Sequence, residues 1–377
     1  MKDGRLDFDC SRRDFLRGLF SAGVSDAMGL PGAIVSEDVR WPQHESVFEL
    51  GDLTLQTREI LRNARLAYKT HGQLNAAKNN VILYPTQFAA QHNDIEWLIG
   101  PGKALDPDKN FIVVPDQLGN GLSSSPSNTA PPQDRMRFPA VTIEDDVAVQ
   151  HRLVTEVFGV RRVALVTGYS MGAQQAFQWA ASYPDMVERI APFCGTARTT
   201  PHNAVFLEGV RAALTADAAW MNGDYQSPPI RGMRALARVY AGWGLSQPFY
   251  KEELYKELGF NSLDDFIIGF WERRYMRRDA NNLLSMLRTW QLNDLGKAPR
   301  FGGSLEKALG AIKAQATVMA SQTDLYFTPD DIEFEAARIP GARFRVIPSK
   351  WGHMAGAGLN TADSKFIQDE IKALLSA

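Results

Sequence analysis

The chain has 377 residues, 45% of them hydrophobic and 22% charged. That is an ordinary globular mixture, long enough for one large domain with an insertion or for two domains. Its 41 lysines and arginines against 43 aspartates and glutamates leave a net charge of −2, which argues against the basic footprint of a nucleic-acid or acidic-membrane binder. No apolar run approaches the roughly 20 residues of a membrane helix. Two distant cysteines, Cys10 and Cys194, offer neither a disulfide framework nor metal-ligand spacing.

Residues 1–35 differ from the rest. Ser11-Arg12-Arg13-Asp14-Phe15-Leu16-Arg17 looks like a twin-arginine export motif, and a moderately apolar stretch runs from Gly18 to Val35. Asp26 interrupts that stretch, Asp3, Asp7 and Asp9 dilute the basic leader, and no A-x-A cleavage site is present. Two readings stand: an exported, periplasmic protein, or a cytoplasmic one with a disordered tail and a chance Arg-Arg pair.

Val47-Phe48-Glu49-Leu50 and Ala64-Arg65-Leu66-Ala67-Tyr68 are β-type segments, with Gly51-Asp52 as a turn signal, so an antiparallel start to a sheet is expected. Val81–Tyr84 and Phe111–Val114 read as short buried strands, with loop and helix between them. Leu118 to Pro132 is a long loop rich in Gly, Ser, Asn and Pro. Thr142 to Phe158 predicts a helix, with Ile143, Val147, Val154, Val157 and Phe158 on one face. Val163–Thr167 is the next strand, and Ala173, Ala176, Phe177 and Ala180 mark the helix that follows. From about Arg198 to Arg300 no strand is apparent, and a helical insertion capping the sheet is expected. Ala316–Ala320 and Arg343–Ile347 then read as strands, with Asp330–Arg338 and Thr361–Leu375 as helices. Strands alternating with helices imply a doubly wound, mostly parallel α/β sheet. The predicted division is 36–197 and 301–377 for the core and 198–300 for the insertion.

Gly168-Tyr169-Ser170-Met171-Gly172 lies between that third buried strand and its helix. A sharp strand-to-helix turn would push the Ser170 hydroxyl out of the sheet, and a Cβ at 168 or 172 would crowd the neighbouring strand and helix. The Met171 amide, at the helix N-terminus, could donate to a negative oxygen. A serine nucleophile needs a base, and the base needs an orienting acid. With the chain order serine, acid, histidine, His353 in the flexible loop Lys350–Gly356 is the base. Asp324, on the loop after Ala316–Ala320, is the acid. Asp330 and Asp331 follow Pro329 directly and read as caps or dipole partners in the first turn of the next helix. The second oxyanion donor is expected from Pro85-Thr86-Gln87-Phe88, with the Gln87 amide as the choice.

Several long stretches carry a resemblance. Leu98–Asp106, Phe138–Asp145, Gly168–Gly172 and Asp324–Phe327 look like the homoserine O-acetyltransferase family of α/β-hydrolases, from about Val47 to the C-terminus. The resemblance implies the α/β-hydrolase fold, a helical cap, a Ser170–Asp324–His353 triad, an acyl-serine intermediate and a homodimer formed through the cap. It also matches Arg211 and Tyr225 to cap positions that could face the substrate; helix-surface charge and cap packing are the competing reading. Two positions depart from the family: Met354 stands where homoserine enzymes usually carry aspartate after the histidine, and Tyr169 where glycine is common.

The leading reading is therefore serine-dependent hydrolysis of a small ester, with no cofactor and no metal. An O-acyltransferase taking an acyl group from acyl-CoA to a hydroxylated acceptor such as homoserine is the alternative. A non-catalytic binding protein on a hydrolase fold is a third. Met354 predicts an apolar pocket and a poor fit for homoserine. Arg273, Arg274, Arg277 and Arg278 form a basic stripe that reads as a solvated face or a contact for acyl-CoA phosphates.

Overall fold

The computed structural model describes residues 41–377. Eight strands form one sheet in the order β1-β2-β4-β3-β5-β6-β7-β8. They are β1 (Gln43–Thr54), β2 (Ile60–His71), β3 (Val81–Leu83), β4 (Phe111–Pro115), β5 (Leu165–Tyr169), β6 (Arg189–Phe193), β7 (Gln315–Ser321) and β8 (Arg343–Ile347). β1, β2 and β4 pair antiparallel, and every pairing from β4 through β8 is parallel. The central strands β3, β4 and β5 are short and wholly buried. β3, Val-Ile-Leu, exposes none of its side chains. Each such side chain contributes about 1.5–3 kcal/mol on burial, against about 1 kcal/mol for a net hydrogen bond. Packing therefore places these strands more than their ladders do.

The longer helices are α1 (Ile143–Arg152), α2 (Met171–Ser182), α3 (Pro201–Thr215), α4 (Ile230–Gly244), α5 (Ala280–Leu292), α6 (Pro329–Ala336) and α7 (Thr361–Leu375). Thr142 opens α1 by accepting from the Asp145 amide, while Asp145 accepts from the Thr142 amide. This reciprocal pair gives acceptors to two of the donors a helix start leaves free. Past Arg152 the helix widens into π-type turns over Leu153–Val157. Residues 198–300 carry α3 to α5 and shorter helical turns between β6 and β7.

Two expectations need correction. Gly51-Asp52 is not a turn: it lies inside β1, where the register with β2 shifts on both sides of Gly51, which takes a φ of 69°. The glycine admits a bulge, and the chain reverses later, between Thr54 and Ile60. β6 was not anticipated, since Pro192 demotes a strand pattern. In the structure that strand pairs with β5 on one side and β7 on the other.

The strand order reverses between β3 and β5, whose chain connections run to opposite sides of the sheet. A crevice opens at such a switch point, beyond the carboxyl ends of the strands. Ser170 follows β5 and Pro85–Phe88 follows β3, so both lie there.

Candidate active site

Ser170 is the single residue between β5 and α2. Its backbone sits at φ 58°, ψ −121°, a strained conformation for a residue with a Cβ. Three glycines make room for it. A Cβ on Gly168 would stand 2.4 Å from the Gly172 carbonyl carbon, one on Gly172 2.7 Å from the Pro85 carbonyl oxygen, and one on Gly195 2.5 Å from the Ser170 carbonyl oxygen. The sequence identified the first two. The third follows from β6 and was missed with it.

The Ser170 hydroxyl lies 3.0 Å from His353 Nε2, and His353 Nδ1 lies 2.7 Å from Asp324 Oδ2. Asp324 selects the tautomer: Nδ1–H donates to the carboxylate, which leaves Nε2 to accept from the serine. The other carboxylate oxygen accepts from the Tyr326 and Phe327 amides, each at 3.1 Å. All three side chains are buried. Asp330 and Asp331 begin α6 behind the Thr328 cap, as expected.

The segment carrying His353 is not a flexible loop. Gly352–Ala357 is a 3-10 helix, buried from Gly352 to Gly356. Thr323 Oγ1 donates to the Ser349 carbonyl (2.9 Å) and accepts from the Gly352 amide (3.0 Å), tying the histidine segment to the loop of Asp324. Tyr169 adds a tie that sequence reasoning missed. Its hydroxyl donates to the His353 carbonyl oxygen at 3.0 Å, and its ring stacks on the imidazole at 4.6 Å. Burial pushes the Tyr169 phenol well above its ordinary pKa, so it stays a neutral donor. Tyr326 and Phe327 complete an aromatic surround, at 4.6 and 5.5 Å from the imidazole. Met354 is buried with its sulfur 3.9 Å from the Tyr169 hydroxyl.

The Gln87 and Met171 amides have no acceptor among the described residues. Their two segments are joined by Gln175 Nε2, which donates to the Thr86 carbonyl at 2.9 Å. Free backbone amides of this kind are what a developing oxyanion needs.

The alpha/beta hydrolase fold model matches residues 80–356, a span that contains the serine, the aspartate and the histidine. The chain belongs to the alpha/beta hydrolase fold family. An ethyl acetate hydrolase of Pseudomonas veronii is 41% identical over 333 residues, 88% of this chain and 94% of the relative. The crystal structure of an acetylester hydrolase from Corynebacterium glutamicum superposes with a TM-score of 0.86 at 36% identity, covering 89% of this hydrolase and 96% of the other chain. A homoserine O-acetyltransferase of Chlorobaculum parvum stands further off, 30% identical over 310 residues, 78% of this hydrolase and 85% of the relative. The esterase-type relatives are thus nearer than the homoserine enzymes among these.

Arg211 and Tyr225 are placed elsewhere. Arg211 is exposed on α3 and paired with Glu208 one turn away. Tyr225 donates to Asp279 and borders a surface cavity of about 290 Å³ with Arg135 and Asn281, none of them a triad residue. The arginine stripe is not uniform. Arg273 and Arg277 are exposed and Arg274 half-buried, while the Arg278 side chain is 10% exposed and pairs with Asp94. Cys194 is a buried free thiol. The twin-arginine stretch and Cys10 lie outside the described residues. Among the described residues no cluster of His, Cys, Asp and Glu could hold a metal ion, and no helix is long and apolar enough to cross a membrane.

Proposed function

We propose that this hydrolase cleaves small neutral esters through an acyl-serine on Ser170, with His353 as base and Asp324 as its orienting carboxylate. The observation that carries the reading is the buried hydrogen-bonded series Asp324–His353–Ser170, at 2.7 and 3.0 Å. Small acetyl esters are the favoured class because two near relatives are an ethyl acetate hydrolase and an acetylester hydrolase. The aromatic surround of His353 supports a neutral substrate, since a charged group there would lose its hydration without a partner.

Ser170 Oγ bonds to the ester carbonyl carbon as its proton passes to His353 Nε2. The charge on the former carbonyl oxygen is met by the Gln87 and Met171 amides. Collapse breaks the bond to the alcohol oxygen, and the alcohol leaves with the proton from Nε2. Water then attacks the acyl carbon and gives a proton to Nε2. The second collapse breaks the acyl–Oγ bond, returns that proton to Ser170 and releases the acid.

Transfer from acyl-CoA has less support, because the innermost stripe arginine is already committed to Asp94. The test is hydrolysis of ethyl acetate together with labelling by a fluorophosphonate. Wild type should be labelled on Ser170, and Ser170→Ala should lose roughly 10⁴-fold or more in turnover with its melting temperature retained. An unlabelled wild type, or an alanine variant that still turns over normally, would discard the reading.

A further inference from the structure

The turn that presents the Gln87 amide is held from outside the sheet. Ala89, two residues on, has a φ of 59° without being glycine. Such a conformation costs about 1–3 kcal/mol and persists only where its surroundings over-determine it. Here they do. The Ala90 amide donates to the Gln87 carbonyl at 3.0 Å and closes the turn. The Ala90 carbonyl accepts from Asn120 Nδ2 at 3.1 Å, and the His92 amide donates to Asp116 Oδ1 at 3.0 Å. The Ala89 carbonyl itself accepts from Arg278 Nε at 2.8 Å.

Arg278 belongs to the helical insertion, between the turn Arg273–Met276 and α5. Its second contact is with Asp94, whose carboxylate also accepts from the Gln91 amide at 2.9 Å. One guanidinium therefore grips both ends of the segment Ala89–Asp94. The ring of Phe88, next to Gln87, packs against Tyr240, Tyr275 and Trp290 of the same insertion, at 5.8 to 6.1 Å. An exposed ion pair contributes little, but this one is largely buried and shares its cation with a backbone carbonyl.

We propose that Arg278 is a positioning residue for the oxyanion site: by holding the Ala89 carbonyl it fixes the Gln87–Ala90 turn and so the aim of the Gln87 amide. The inference rests on the serine-esterase reading above. It makes the oxyanion geometry depend on the helical insertion as well as on the sheet. An amide that is aimed badly still binds ester but stabilises the charged intermediate less. The loss should therefore fall on kcat.

The experiment compares wild type with Arg278→Met, which keeps the stem and removes the donors, on p-nitrophenyl acetate. The expected result is a kcat lower by roughly 10- to 100-fold, part of the 10²–10³ that a lost oxyanion donor costs, with KM within about threefold. Affinity for a trifluoromethyl ketone, whose adduct places an anionic oxygen at the oxyanion site, should fall in parallel with kcat/KM. Unchanged kcat and unchanged ketone affinity in a folded Arg278→Met protein, whatever its melting temperature, would overturn the proposal and leave a structural ion pair. Arg278→Gln, too short to reach, carries the same two readouts if the methionine variant does not fold. A wild type that neither forms the ketone adduct nor hydrolyses the ester would instead sink the esterase reading.

Discussion

Two buried histidines in this protein each hold a carboxylate through Nδ1, and only one of them faces a hydroxyl. His353 meets Asp324 at 2.7 Å and His92 meets Asp116 at 2.6 Å. At the other nitrogen they part. His353 Nε2 is 3.0 Å from Ser170 Oγ, whereas His92 Nε2 is 3.4 Å from Glu45 Oε1. Flanked by two carboxylates, an imidazole is biased toward its cation, which has no lone pair to offer. Beside a hydroxyl it remains a base. The pair alone therefore says little about catalysis, and the group at Nε2 decides.

The largest test of that contrast is to remove each ring in turn. His353→Gln should lower turnover by roughly 10³-fold or more, because the serine loses its base. His92→Gln should leave turnover of the folded enzyme within about tenfold and instead cost stability, about 1–3 kcal/mol for an unpaired buried partner. Steady-state kinetics and thermal melts on both variants separate the two. A His92 variant that melts normally but has lost turnover would erase the distinction.

A second test uses pH. Burial opposes charge on His92, but the hydrogen bond and charge of Asp116, with Glu45 beyond, outweigh it and raise its pKa; Lys69 opposes them. A raised histidine pKa contributes stability that is complete below the unfolded value, about 6.5, and is lost as pH rises through the folded value. Glu335 acts with the same sign. It is buried on α6, accepts from the Ala197 and Arg198 amides, and is pushed by burial from 4.5 up to about 8, against the pull of those amides. Its contribution is present below about 4.5 and lost as pH rises through 8. The melting temperature should therefore fall from about pH 5 towards pH 8.5. His92→Gln should flatten the part above pH 6.5 and Glu335→Gln the earlier part. Parallel curves for wild type and His92→Gln would show that His92 is not held as a cation.

The smallest expected effect concerns the acceptor. Met354 follows His353 and presents a thioether beside Tyr169 rather than a carboxylate. An ammonium group has nothing there to balance it. With an acetyl donor and added homoserine, water should remain the main acceptor, and Met354→Asp should at most begin to divert acetyl groups. Saturable O-acetylhomoserine formation by the wild type, well above hydrolysis, would reverse the assignment.

What the sequence revealed and what it hid divide along contact distance. Gly168–Gly172 between an apolar run and a 3.6-period helix is a local pattern, so Ser170 was legible. Pro329 separated Asp324 from Asp330 and Asp331 in the first turn of the next helix, again locally. Tyr169 reaches the His353 carbonyl across 184 residues and Arg278 reaches Ala89 across 189. No spacing encodes such pairs. The arginine stripe looked uniform because helical periodicity reports a face and not what lies opposite each position. Gly51 read as a turn because a bulge and a turn ask the same backbone freedom of a glycine.

Tyr169 also ties two distant positions into one inheritance. A Cβ on Gly356 would come within 2.3 Å of the Tyr169 ring. A lineage that carries tyrosine before the nucleophile is obliged to keep position 356 bare, while one with glycine at 169 leaves only the Phe193 ring, at 3.2 Å, to crowd that position. Position 356 should therefore gain a side chain only where 169 has lost its ring, and a sequence showing a large residue at both would have to have moved its histidine segment.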